Sequence, residues 1–122
     1  MPTVLLIDDE AMIRDVVRAH LEAVKFDVTE ARDGREGVAC YRKQRYDLVI
    51  TDIIMPDQEG IATIRDIRAI DPEAKIIAMS GGGRRNNFEF LGYTEKLGAM
   101  ASLEKPFTRQ QLLETVARCL KA

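Results

Sequence analysis

Short apolar runs alternate with segments of helical period along this chain, five of each, and that alternation is the pattern of a βαβ fold built on a parallel sheet. The expected strands are Thr3 to Ile7, Asp27 to Ala31, Asp47 to Thr51, Lys75 to Met79 and Ala101 to Leu103. The first, third and fourth are the most apolar, as strands buried on both faces must be, and belong at the centre. Thr29 and Glu30 make the second more polar and the fifth is short, so both are expected at the edges. Between the strands, Met12, Ile13, Val16, Val17, Leu21 and Val24 recur at three- and four-residue spacing, which predicts a helix with one buried face. Asp33 followed by Glu36 predicts a capping box for a helix from Gly34 to about Gln44, and Thr108 with Gln111 repeats that signature before Leu112, Leu113, Val116 and Leu120. Two further helices are expected near Ile61 to Ala69 and Asn87 to Leu97, the first separated from the fourth strand by Pro72 and the second ended by Gly98.

At 122 residues the chain fits one domain over 1–122, and roughly two-thirds of the unfolded chain's surface can be buried at that size. No further domain is expected after the last helix. The net charge of -2, from 18 basic and 20 acidic side chains, offers no basic field for nucleic acid. Cys40 and Cys119 lack the spacing of a zinc site or redox motif and read as packing or surface thiols in a reducing compartment. The chain opens on a strand, without a basic flank or cleavage site, and no apolar stretch approaches the roughly 18 residues that span a bilayer. A soluble, cytoplasmic protein without membrane contact is expected.

The chemistry-bearing residues fall where strands stop. Asp8 and Asp9 close the first run, Asp52 follows the third, Ser80 ends the fourth, and Lys105-Pro106 follows the fifth. In an open parallel sheet all carboxyl ends emerge along one edge, where α/β proteins place their ligand sites. Three acids and a lysine gathered there suit a hard divalent cation and a phosphoryl group. Magnesium prefers six oxygens and usually takes one or two carboxylates plus phosphate oxygens and water. Three carboxylates held together would repel, and a bound cation removes the conflict. The same cation would offset charge on an incoming phosphoryl group and leave an aspartate oxygen free for in-line attack. Ser80 can donate its hydroxyl to a phosphoryl oxygen, Lys105 brings a compact positive charge, and Pro106 stiffens the turn that carries it. Each piece alone has a plainer reading: an acid pair after a strand as an N-cap, Asp52 as a turn residue, Lys-Pro as surface. Their joint placement at successive strand ends favours the site.

The chain resembles the receiver domains of two-component response regulators. The resemblance rests on Ile7-Asp8-Asp9-Glu10, on Asp52-Ile53-Ile54-Met55-Pro56 with Gly60 beyond, on Ser80-Gly81, on Gly98-Ala99 and on Lys105-Pro106-Phe107, and it runs from the first strand to the last helix. It implies a flavodoxin-like, doubly wound five-stranded parallel sheet of order 2-1-3-4-5 with five helices. It implies that Asp52 is the phosphoacceptor, supplied by a histidine kinase or histidine phosphotransfer protein. Asp9 would bind Mg2+ directly and Asp8 mainly through water, with Asp52 and the backbone carbonyl of Ile54 completing the protein ligands. Ser80 would be the switch hydroxyl and Lys105 the phosphate-contacting lysine. The implied protein is a signalling module rather than an enzyme, a monomer or weak dimer that changes its binding to a protein target when phosphorylated.

The chain also departs from the family. Three residues before Lys105, where most members carry an aromatic ring, stands Ser102, and Ser80 opens onto the glycine-rich stretch Gly81 to Asn87 with Arg84 and Arg85. That loop is expected to serve as the moving part in place of the ring. Ile54 and Gly82, two residues beyond Asp52 and Ser80, carry no side chain able to orient water, so slow self-dephosphorylation is expected. His20, the lone histidine, reads as a bystander on a helix. Phe88, Phe90, Leu91 and Tyr93 read mostly as core. One alternative is the N-terminal receiver of a larger regulator. Another is a magnesium-dependent phosphatase with an aspartate nucleophile, but that class needs an acid two residues beyond the nucleophile, where this chain has Ile54.

Overall fold

The computed structural model describes residues 1–53, 59–80 and 98–121. Five strands, β1 (Thr3–Ile7), β2 (Asp27–Ala31), β3 (Leu48–Asp52), β4 (Ile76–Ser80) and β5 (Ala101–Glu104), form one parallel sheet in the order β2-β1-β3-β4-β5. The described helices are α1 (Ala11–Ala23), α2 (Gly34–Lys43), α3 (Glu59–Ile70) and α4 (Arg109–Lys121). The helix expected at 87–97 lies outside the described residues. None of the described helices is long and apolar enough to cross a membrane.

Every residue of β3 and β4 is buried, whereas β2 exposes Asp27 and β5 exposes Glu104, so the apolar strands are central and the polar ones are edges. The period-two alternation sorts their side chains to two faces. Val4, Leu6, Leu48 and Ile50 pack with Val17 and Leu21 of α1 and Leu112 and Val116 of α4. Leu5, Ile7 and Val49 pack on the other face with Val38 and Tyr41 of α2 and Ile64 and Ile67 of α3.

Three expectations need correction. β3 and β4 each begin and end one residue later than their apolar runs suggest, and β5 extends to Glu104. Asp47 does not start β3 because its carboxylate accepts Thr3 N–H (2.8 Å) and its own N–H donates to Thr3 Oγ1 (3.0 Å). In α1, Val17 and Leu21 are buried, but Met12, Val16 and Val24 are 77%, 49% and 38% exposed. Met12 and Val16 stand one position, about 100° of helix, from the stripe of Ile13 and Val17, and that rotation turns them to solvent.

The capping signatures hold with one difference. Thr108 Oγ1 accepts Gln111 N–H (3.0 Å) while Gln111 Oε1 accepts Thr108 N–H (2.8 Å), a reciprocal box. Asp33 Oδ1 accepts Glu36 N–H (2.8 Å), but Glu36 reaches back to Arg32 N–H (2.6 Å) rather than to Asp33.

A buried polar pair joins the ends of α2 and α3: the Tyr41 hydroxyl donates to Asp71 Oδ2 at 2.7 Å. Burial and this bond raise the phenol's pKa. The Asp71 carboxyl is held below the usual range by the Tyr41 bond, against the opposing effect of burial and with help from Glu73 N–H and Arg45. Because a depressed carboxylate stabilises the fold above its unfolded value and loses that contribution as pH falls through its folded value, the pair acts at neutral pH and fades in acid. Tyr41→Phe is expected to cost about 2 kcal/mol near neutrality, the worth of a hydrogen bond to a charged group. Urea unfolding should show the gap between the two proteins narrowing below about pH 4; a constant gap would assign the loss to packing.

Candidate functional site

The alternation that builds the core also aims the site. Val4 and Leu6, Leu48 and Ile50, and Leu103 all face α1 and α4, and the next residues in those series are Asp8, Asp52 and Lys105. Ladder hydrogen bonds continue at and past the strand ends, from Asp8 N–H to Ala31 O (3.1 Å), Ile53 N–H to Met79 O (2.9 Å) and Lys105 N–H to Ser80 O (2.8 Å). The backbone beneath each of these charged groups is therefore held by the sheet. The Lys105–Pro106 peptide bond is cis.

Asp8 is fully buried, Asp52 is 3% exposed and Lys105 is 9% exposed, a degree of burial that charged groups reach only when paired. Lys105 Nζ lies 2.8 Å from Asp8 Oδ2, 3.3 Å from Asp52 Oδ2 and 3.8 Å from Glu10 Oε1. Burial works against the ammonium charge, but the bond it donates to Asp8 and the charges of Asp52 and Asp8 outweigh it, so Lys105 titrates above the ordinary lysine range. Asp9 is exposed beside them. Asp8, Asp9, Glu10 and Asp52 each present a carboxylate oxygen, and these oxygens lie within 4.8 Å of one another. Such a set of hard oxygen donors fits a cation of the magnesium class.

Ser80 ends β4, adjacent to the ladder position that pairs Asp52 with Met79. It is fully buried, and its hydroxyl has no hydrogen-bond partner among the described residues. A buried hydroxyl left unpartnered is unusual in a folded protein and marks a place where another acceptor fits.

Gly60 explains how α3 approaches the site. A Cβ there would meet the Ile53 Cα and come within 2.6 Å of the Asp52 carbonyl oxygen, both backbone atoms that cannot swing aside. The first turn of α3 packs directly on the chain leaving Asp52, and any side chain larger than hydrogen would push that segment outward.

The structure thus brings together Asp8, Asp9, Asp52 and Lys105, and sets Ser80 on the same edge. Ile54, the loop from Gly81 to Asn87 and the rings of Phe88, Phe90 and Tyr93 lie outside the described residues. Ser102 lies within β5, half-buried and opposite Ala78, and His20 sits near the end of α1 away from the strand ends. Cys40 and Cys119 are free thiols. Sequence reasoning missed two residues. Glu10 joins the carboxylate cluster. Arg14, on the second turn of α1, donates to the Asp8 carbonyl oxygen (2.6 Å) and to Glu30 Oε1 (3.0 Å), tying the end of β1 to β2. Glu30 also pairs with Arg18 at 2.5 Å, and that bond, against burial and together with Arg14, holds its carboxyl below the usual range. The spacing of Arg14 behind the acid pair was the available signal.

Comparison with known proteins is consistent throughout. The family model of the response regulator receiver domain matches residues 4–117. Protein CcdB of Bacillus subtilis is 36% identical over 121 residues, covering 98% of each chain. The chemotaxis protein CheY of Thermotoga maritima is 34% identical over 119 residues, covering 97% of each. Among solved structures, a receiver domain protein from Clostridium thermocellum superposes with a TM-score of 0.90 at 28% identity, covering 99% of this chain and 95% of that one. Chemotaxis protein CheY4 of Vibrio cholerae gives 0.87 at 30% identity, with 98% of each chain covered.

Proposed function

The chain belongs to the response regulator receiver domain family, whose role is phosphoacceptor signalling, and from that premise we propose that Asp52 is the residue phosphorylated. The observation that carries this reading is the Lys105 ammonium held at 2.8 Å from Asp8 and 3.3 Å from Asp52 beside the unpartnered Ser80 hydroxyl.

On this reading an Asp52 carboxylate oxygen attacks the phosphorus of a phosphohistidine in line. The new P–O bond forms as the P–N bond breaks, and its electron pair leaves with the imidazole of a histidine kinase or phosphotransfer protein. Asp8, Asp9 and Asp52, with the backbone carbonyl of Ile54, would hold Mg2+. When bound, Mg2+ neutralises charge on the transferring oxygens. Lys105 moves from the carboxylates it now bridges to a phosphoryl oxygen, and Ser80 donates its hydroxyl to another. Arg14 fixes the backbone of Asp8, and Gly60 lets α3 close against that of Asp52. Residues 1–122 would act as one receiver unit that alters its affinity for a protein target, as a population shift biased by these new contacts.

The test is incubation of the protein with acetyl phosphate and Mg2+, read by intact mass. A single phosphate adduct that is labile to hydroxylamine, as an acyl phosphate is, and that fails to form with EDTA is the expected result. An adduct stable to hydroxylamine would place the phosphate on a hydroxyl and overturn the reading.

A further inference from the structure

Glu10 caps α1 without using its side chain. It occupies the N-cap with extended backbone (φ -96, ψ 114), yet its carboxylate makes no bond to the first helical turn. A short acceptor there would satisfy one of the orphan N–H groups, as Asp33 does for α2 and Thr108 for α4. The Glu10 backbone N–H instead donates to Asp8 Oδ1 (2.8 Å), and that bond turns the residue back over the acids. Its Oε1 stands 3.8 Å from Lys105 Nζ, and its side chain is 63% exposed where Asp52 is 4% exposed and Asp8 is sealed. Glu10 therefore stands, with the exposed Asp9, at the mouth of the site.

The charge balance gives that position a consequence. Among the described residues four carboxylates face one ammonium in the cluster, so the charge these groups carry stays negative even with a divalent cation bound. The buried, unpartnered Ser80 hydroxyl ends β4 at the same sheet edge, next to the ladder position of Asp52. A fixed negative charge at an opening attracts cations and repels anions in proportion to their charge, most strongly at low salt.

We infer that Glu10 sets how tightly this site holds a divalent cation and which small phosphodonors it admits, strengthening the cation and disfavouring dianionic donors against less charged ones. The inference rests on Asp52 as the phosphoacceptor. Glu10 acts through its charge and does not touch the reacting atoms.

The test uses the full chain, with Mn2+ as the spectroscopic probe of the cation site. Glu10→Gln should weaken Mn2+ binding, measured by electron paramagnetic resonance, roughly fivefold at low ionic strength. At saturating Mg2+ it should speed phosphorylation by acetyl phosphate about threefold and change the rate with phosphoramidate, which carries less charge, far less. Both differences should shrink in high salt. Glu10→Ser supplies the missing cap, so its thermal midpoint should rise while its Mn2+ affinity falls, a pairing of opposite signs that a purely structural role would not produce. Equal Mn2+ affinity in wild type and Glu10→Gln overturns the inference and leaves Asp52 as phosphoacceptor intact. An unchanged ratio of the two donor rates also overturns it. A wild-type protein that takes neither Mn2+ nor phosphate overturns both readings together.

Discussion

Asp52→Asn is expected to remove phosphorylation altogether while leaving the fold in place. An amide oxygen is a poor nucleophile and the amide nitrogen has no free electron pair to offer, so covalent transfer stops at the first step. The replacement has nearly the same shape, and Asn can still accept from Lys105, which keeps its stronger bond to Asp8 at 2.8 Å. With acetyl phosphate and Mg2+, the variant should show no phosphate adduct under conditions that modify wild type. Its far-ultraviolet circular dichroism should match wild type. A variant that still takes phosphate at the wild-type rate would move the acceptor elsewhere, whatever the geometry around Asp52.

Lys105→Met carries the largest expected loss of stability. Asp8 and Asp52 are almost sealed from water, and among the described residues Lys105 is the cation bonded to both. Removing one partner of a buried ion pair costs about 3 kcal/mol or more, because Asp8, sealed from water, loses the ammonium bonded to it. Mg2+ at millimolar concentration should restore much of the loss, since a divalent cation can take over the neutralising role between the same oxygens. The pH dependence follows from the direction of the lysine shift. A group whose folded pKa is raised contributes fully below its unfolded value, so the Lys105 contribution is complete at neutrality and is lost as pH climbs past about 10.4 and through the folded value. The difference between wild type and Lys105→Met should therefore close in strong alkali. Urea unfolding with and without Mg2+ measures all of this, and a variant as stable as wild type in metal-free buffer would show that the three charges do not share one buried cluster.

Most of the site was legible in the sequence because charged residues directly after apolar strands have few structural reasons to be there. Asp8, Asp52, Ser80 and Lys105 each stand at or just past the end of a strand in the structure, and a parallel sheet then collects them without further information. Glu10 was not legible, since an exposed glutamate opening a helix reads as solvent-facing until the Asp8 bond to its N–H is seen. Arg14 was harder to see for a different reason: beyond its spacing behind the acid pair, nothing in the sequence shows that it bonds the Asp8 backbone carbonyl and, across to β2, Glu30. The apolar stripe of α1 showed where a helix would form but not its rotation. Met12-Val16 and Ile13-Val17 satisfy the same spacing, and only packing against the sheet decides which pair is covered. The strand shifts at β3 and β4 are of the same kind, set by the side-chain clasp of Asp47 on Thr3 and by ladder bonds that reach beyond the most apolar residues.

The unpartnered hydroxyl of Ser80 bears on how strong a signal this domain can send. A buried hydroxyl without a partner costs about 1–3 kcal/mol, and the resting state carries that cost. If an arriving phosphoryl oxygen supplies the missing acceptor, the penalty is relieved only in the arrangement where the hydroxyl reaches it. The relief is then a coupling energy between the modified carboxylate and the rest of the domain. At that size it favours one arrangement over the other by about 5- to 150-fold. On that condition phosphorylation would turn a resting minority of active molecules into a majority, and Ser80→Ala would compress the ratio between the two states toward one.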